Sequence, residues 1–238
     1  MEYAERLQQM IDESENIVFF GGAGVSTESG IPDFRSVDGL YHTQYRFPPE
    51  TILSHDFFLS HTQEFFAFYK AKMLQLGARP NMAHKKLAEL EKEGKLKAVV
   101  TQNIDGLHQA AGSKNVLELH GSVHRNTCMD CGKRYTAEDI LRSGEVPYCT
   151  CGGIIKPDVV LYGEMLSDDV MNRSVKAIAA ADMLIVGGTS LVVYPAAGLI
   201  EYYGGNKLVL INKAPTGRDG RADLLIPGKI GEVLSKIK

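Results

Sequence analysis

The sequence predicts an α/β fold: a mostly parallel sheet with helices on both faces, joined to a helical insertion and a small metal-binding module. Short, continuous apolar runs recur at residues 17–20, 96–101, 116–119, 183–186, 207–211 and 224–226, the pattern of strands buried on both faces. Helical or glycine-rich sequence separates most of them, and that alternation builds parallel sheets. Two regions break the rhythm: 34–77 is crowded with aromatic residues, and 122–156 holds all four cysteines. Both read as insertions into the sheet's connections.

Taken in order, residues 1–14 form a polar helix with an apolar stripe at Tyr3, Leu7, Met10 and Ile11, lacking the basic start and apolar run of a signal peptide. The run 17–20 then enters a glycine cluster at Gly21, Gly22 and Gly24. Asn81 can cap a helix over 82–93 that Gly94 stops, and Ser167 can cap one over 168–181. Pro195 suits the first turn of a helix over 196–203. These elements divide the chain into a sheet-forming body at approximately 1–35, 79–121 and 157–238, a helical insertion at 36–78 and a cysteine module at 122–156.

Bulk composition narrows the function classes. With 238 residues, 44% hydrophobic and 23% charged, the chain can bury a substantial core and carries no signature of disorder. A formal net charge of −3 gives no electrostatic ground for nucleic acid, although Arg125, Lys133 and Arg134 keep a zinc-ribbon interaction module open as an alternative. No run is long enough to cross a membrane, so the expected compartment is the cytoplasm, where thiols stay reduced.

The cysteines fall as Cys128-x-x-Cys131 and Cys149-x-Cys151, with seventeen residues between the pairs. Four thiolates so spaced suit tetrahedral zinc, and with every coordination position filled by sulfur the metal should be structural. The second pair is one residue shorter than the common knuckle. A zinc deaminase is disfavoured because no H-x-E accompanies the cysteines.

A strand running into Gly22-Ala23-Gly24 puts backbone N–H groups and a helix start where a diphosphate can sit, or makes only a tight turn. The next glycine is Gly30, too late for the dinucleotide fingerprint G-x-G-x-x-G, which argues against a hydride-transfer enzyme. His120 follows the run 116–119 and so lies near the carboxyl end of the sheet, where an imidazole can accept a proton near pH 7 or serve as a structural hydrogen-bonded residue.

The whole run at residues 22–35, GAGVSTESGIPDFR, resembles the sirtuin signature. Further sirtuin-like motifs follow in order: TQNID at 101–105, LHG at 119–121, the cysteine pairs, PDVVLYGE at 157–164, GTSLVVYP at 188–195 and IN at 211–212. The resemblance covers nearly the full chain. It implies a Rossmann-like sheet and an NAD-dependent protein lysine deacetylase that consumes NAD as co-substrate, binds one structural zinc, and releases nicotinamide and O-acetyl-ADP-ribose. An ADP-ribosyltransferase or NAD glycohydrolase using the same pocket is the alternative.

The resemblance also assigns roles. His120 is the implied general base, with Asn103 beside it; Gln102, Asn103, Ile104 and Asp105 border the nicotinamide and its ribose. Gly22, Ala23, Gly24, Thr27, Phe34 and Arg35 line the cofactor pocket, and Gly188, Thr189, Ser190, Asn212, Lys213 and Ile230 complete it. Val159, Val160, Leu161, Tyr162, Gly163 and Val193 are the implied edges between which an acetylated peptide lies as an extended strand, with Tyr162 standing where many sirtuins have Phe. Sirtuins that remove acidic acyl groups carry Tyr-x-x-Arg in the aromatic insertion. Here Tyr69 is followed by Lys72, and no arginine lies between Arg46 and Arg79, which implies a preference for acetyl-lysine over succinyl- or malonyl-lysine.

Overall fold

A computed structural model describes residues 3–34, 39 and 46–238. Its centre is a six-stranded parallel sheet of β1 (Ile17–Gly21), β2 (Leu96–Thr101), β3 (Val116–Glu118), β7 (Met183–Gly187), β8 (Leu208–Asn212) and β9 (Leu224–Pro227), ordered β3-β2-β1-β7-β8-β9. Every residue of β1 and β7 is buried, which explains why these strands read as unbroken apolar runs. Strands β1, β7, β8 and β9 run one residue past the expected apolar stretch because the ladder continues through Gly21, Gly187, Asn212 and Pro227.

Helices cover both faces. On one, α1 (Tyr3–Asp12), α5 (Met82–Lys92) and α9 (Ile230–Leu234) bury Leu7, Ile11, Leu87, Leu90, Ile230 and Leu234 against Phe19, Val99, Ile185 and Val209. On the other, α8 (Asp168–Ala180) and a 3-10 helix at Ala196–Tyr202 pack Ile178, Leu199 and Ile200 on Val18, Phe20, Leu184 and Leu210. Asn81 caps α5 as expected, its side chain accepting from Ala83 N–H while His84 Nδ1 accepts from Asn81 N–H. Three local expectations are corrected. Ser167 stands at the start of α8 without a side-chain cap bond, the segment after Pro195 is a tighter 3-10 helix, and Tyr3 is 54% exposed rather than part of the buried stripe. Among the described residues no helix is long and apolar enough to cross a membrane.

The aromatic insertion forms α2 (Pro49–Ile52), α3 (His55–Ser60) and α4 (Thr62–Phe68), the last continuing as a π turn at Tyr69–Met73. The cysteine region forms a small antiparallel sheet, β5 (Arg134–Tyr135), β4 (Gly121–Cys128) and β6 (Ile155–Val159), with α7 (Ala137–Arg142) against it. These two regions share one core. Phe58, Phe65, Phe66 and Tyr69 pack with Val123, Ala137, Ile140, Ile155 and Leu161, and the Phe58–Phe65 edge contact and Phe65–Tyr69 stack lie at 5.0 and 5.6 Å. The chain crosses from sheet to lobe at Gly121, whose φ is +77° and whose α-carbon leaves no room for a Cβ beside Asp158 O.

Candidate active site

Strands number outward from β1 in one direction and from β7 in the other, so the sheet reverses its order between these two neighbours. Loops leaving adjacent strands diverge at such a point, and a crevice opens beyond their carboxyl ends. A cavity of about 540 Å³ occupies that position. It is lined by Gly22, Ala23, Gly24, Thr27 and Phe34 after β1, by Gln102, Asn103, Ile104 and Asp105 after β2, and by His120 after β3. Gly188, Thr189, Ser190 and Val193 follow β7, Asn212 ends β8, and Lys213 and Ile230 lie beyond it. Val159, Val160, Leu161, Tyr162 and Gly163 close the wall from the lobe. Thus the expected site residues converge on one cavity, with Arg35 the exception because it lies outside the described residues.

The glycines after β1 let two loops touch. A Cβ on Gly24 would sit 2.8 Å from Gly188 Cα, and one on Gly188, at φ +60°, 2.4 Å from Val25 N. Gly24 N–H accordingly donates to Gly188 O at 2.8 Å. This corrects the expectation of a helix start presenting N–H groups to a diphosphate. The loop instead winds into single 3-10 turns at Ala23–Val25 and Thr27–Ser29, and the N–H groups of Gly22, Val25 and Ser26 are likewise taken by Gly187 O, Gly22 O and Ala23 O. Of residues 22–26 only Ala23 N–H has no partner among the described residues. Side chains and shape, rather than a helix terminus, therefore define this wall.

A polar lattice fixes the cavity floor. Gln102 Nε2 donates to Thr189 Oγ1 at 3.0 Å, while Thr189 and Asn212 exchange two bonds, Thr189 N–H to Asn212 Oδ1 and Asn212 Nδ2 to Thr189 O, both 3.0 Å. Ser26, absent from the expected site, proves central. Its hydroxyl donates to Asp105 Oδ2 at 2.6 Å and accepts from Asn103 Nδ2 at 3.1 Å, so it sets the orientation of both side chains. Ser26 lies inside the glycine-rich signature; its long-range partners are what sequence reading missed.

His120 Nδ1 lies 3.0 Å from Gln102 O. A carbonyl can only accept, so Nδ1 carries the proton and Nε2 keeps its lone pair. Burial pushes the imidazole pKa below its ordinary 6.5, with the Gln102 carbonyl working the other way. The ring is therefore neutral and basic at pH 7.

In the lobe, the Sγ atoms of Cys128, Cys131, Cys149 and Cys151 all lie within 4.8 Å of one another, with Cys128–Cys151 and Cys131–Cys149 at 3.5 Å. Tetrahedral zinc with sulfur ligands at about 2.3 Å needs sulfurs about 3.8 Å apart, so the four thiols are placed to bind one ion. The short second pair does not disturb this, because Cys149 N–H donates to Gly153 O in a tight knuckle turn at 2.8 Å.

Fold and site together define a class: a parallel α/β protein whose cavity opens at the sheet's switch point, flanked by a four-thiol metal module. Comparison with known proteins makes the family specific, since the model described as "Sir2 family" matches residues 22–195. The chain belongs to the Sir2 family, the sirtuins. It is 62% identical over 235 residues to the NAD-dependent protein deacetylase of Clostridium acetobutylicum, covering 97% of this chain and 96% of that one. Two solved structures are similar throughout. A Sir2–p53 peptide–NAD+ complex has a TM-score of 0.88 and 43% identity over 99% of this chain and 97% of that one. Sir2 bound to an acetylated peptide has 0.87 and 42%, again over 99% and 97%.

Proposed function

We propose that this protein is an NAD-dependent protein lysine deacetylase that takes NAD and an acetyl-lysine peptide to nicotinamide, O-acetyl-ADP-ribose and free lysine. The observation that carries the reading is His120: a neutral imidazole with Nδ1 held by Gln102 O and Nε2 without a hydrogen-bond partner among the described residues, on the wall of a switch-point cavity. Such a group can take a proton from a ribose hydroxyl without first losing one of its own. NAD supplies the electrophilic ribose carbon and the nicotinamide leaving group. Asn103 and Asp105, locked through Ser26, present fixed dipoles and charge to the ribose end of the cavity, where positive charge would develop as the nicotinamide bond breaks. Thr189, Ser190 and Asn212 hold the adenosine side, with Lys213 and Ile230 at its margin, and Gln102, which donates to Thr189 Oγ1, borders the nicotinamide and its ribose.

The division of labour follows the two cores. The sheet body holds the cofactor residues, and the lobe built from helices α2–α4 and the small sheet β4–β6 would hold the zinc and meets the peptide, which lies extended between residues 159–163 and Val193. The zinc closes a small sheet that has little core of its own and takes no part in the chemistry. Its thiolates must stay reduced, a requirement that supports a cytoplasmic compartment. Incubation of the purified protein with NAD and an acetyl-lysine peptide, read by mass spectrometry, tests the function. Deacetylated peptide with O-acetyl-ADP-ribose is expected; free ADP-ribose without deacetylation identifies a glycohydrolase, and an ADP-ribosylated protein a transferase.

A further inference from the structure

Glu164, which follows Gly163 on the lobe side of the cavity and lines it too, gathers donors from separate parts of the fold. Its Oε2 accepts from Leu161 N–H at 2.8 Å and from Lys156 Nζ at 3.1 Å, and its Oε1 meets His55 Nδ1 at 2.8 Å. Its own N–H donates to Leu161 O at 2.9 Å and closes the turn. Burial works to raise the carboxyl pKa, but Leu161 N–H, His55 and Lys156 outweigh it and hold the group below the ordinary carboxylate range. The side chain is therefore ionised, and its bonds are charge-assisted.

These contacts join the segment to β6 through Lys156 and to α3 through His55. The same segment is tied at main-chain level: Tyr162 N–H donates to Leu53 O at 3.0 Å, His55 N–H donates to Tyr162 O at 2.9 Å, and Val160 N–H donates to His120 O at 3.0 Å. Val160 O and Gly163 N–H take no partner among the described residues. They face the role an added strand requires, a main-chain edge with open hydrogen-bonding groups.

We infer that Glu164 is a positioning residue for the acyl-lysine peptide, its carboxylate setting the edge of residues 160–163 against α3 and His120 before the peptide arrives. The inference rests on the function proposed above. An edge fixed in advance removes part of the ordering cost of binding, so Glu164 acts on peptide affinity and leaves the NAD side alone.

The test is equilibrium binding of a fluorescent acetyl-lysine peptide to the wild type and to Glu164→Ala, Glu164→Gln and His55→Ala, together with KM for peptide and for NAD. Glu164→Ala deletes hydrogen bonds to a charged group and should weaken peptide binding about tenfold or more, with KM for NAD within about twofold. Glu164→Gln keeps an acceptor for Leu161 N–H and should recover part of the loss. His55→Ala removes the Oε1 partner alone and should weaken binding by about two- to fivefold, which carries the test if Glu164→Ala does not fold. Unchanged peptide affinity in folded variants overturns the inference, as does an equal loss of NAD and peptide affinity or no recovery with glutamine. A wild-type protein that deacetylates no peptide overturns the parent reading instead.

Discussion

The parallel sheet and the lobe beside it bury hydrophobic residues by different means. Strands β1 and β7 are apolar at every position and sit between helices on both faces, so the sheet's stability is spread over many interchangeable aliphatic contacts. The lobe is assembled from two stretches distant in sequence, with β5 only two residues long, and relies on a few aromatic rings at one end and four thiols at the other. A three-stranded sheet with one strand this short is close to the lower limit of independent stability. The lesson is that the lobe depends on single features, whereas the sheet does not.

Replacing Cys128, Cys131, Cys149 and Cys151 together by serine should break the comparison most visibly. Structural zinc contributes on the order of 10 kcal/mol to the folding of small modules. The lobe should lose protection in hydrogen exchange while the sheet strands keep theirs, and the protein should lose its zinc. Zinc retained at one ion per chain would refute the four-cysteine site. In the same lobe, Phe65→Ala should cost about 3–5 kcal/mol, the range for a buried phenylalanine in a packed core. Val186→Ala, in the sheet, should cost less because fewer methyl groups are removed; denaturant melts of both variants give the difference.

On the sheet side, His120→Ala should lower kcat for deacetylation by about 10²–10⁴, the usual contribution of a general base, while NAD binding, zinc content and melting temperature stay close to wild type. Because burial holds the His120 pKa below 6.5, the acid limb of the pH–rate profile should fall below pH 6.5. Wild-type turnover in the folded variant would remove the general-base role.

A gentler effect separates the sheet from the lobe by pH. His84 and His108 are buried with ring centroids 4.7 Å apart, and His84 Nε2 and both nitrogens of His108 lack a hydrogen-bond partner among the described residues. Burial lowers both pKa values; Asp105 partly opposes this at His84, and His84 adds to it at His108. The unfolded chain therefore binds protons that the folded chain refuses. This contribution to stability is complete above the unfolded pKa of about 6.5 and is lost progressively as pH falls below it. Replacing His108 by Leu should flatten the acid side of a stability–pH curve, with the change seen in α5 and α6 (Leu107–Ala111) rather than in the lobe.

The smallest expected effect is on acyl choice. Tyr69 and Lys72 line the cavity, and the Tyr69 hydroxyl is buried without a hydrogen-bond partner among the described residues. A succinyl carboxylate would lose its hydration there without meeting the bidentate fork of an arginine. On one peptide, kcat/KM for acetyl-lysine should exceed that for succinyl-lysine; equality would point to Lys72 as a working substitute.

What the sequence alone determined follows from periodicity and local chemistry. Continuous apolar runs placed the six strands of the main sheet to within a residue or so, and the Asn81 cap was legible because a cap is made by neighbours in the chain. The motif order also brought forward the residues that line the cavity, and the spacing of the cysteines identified their cluster. What only the tertiary structure decided involves partners far apart in sequence. Ser26 meets Asp105 across 79 positions and Glu164 meets His55 across 109, and no local pattern encodes either contact. The merging of the aromatic insertion with the cysteine module into one core is of the same kind, since neither stretch shows which surface its rings or strands will cover. The β1 loop failed differently: its glycines announced close approach correctly, but the backbone brought close was the Gly188 loop, which took the N–H group expected to face a phosphate. A glycine records that something must fit against the chain, and only the packed structure selects what does.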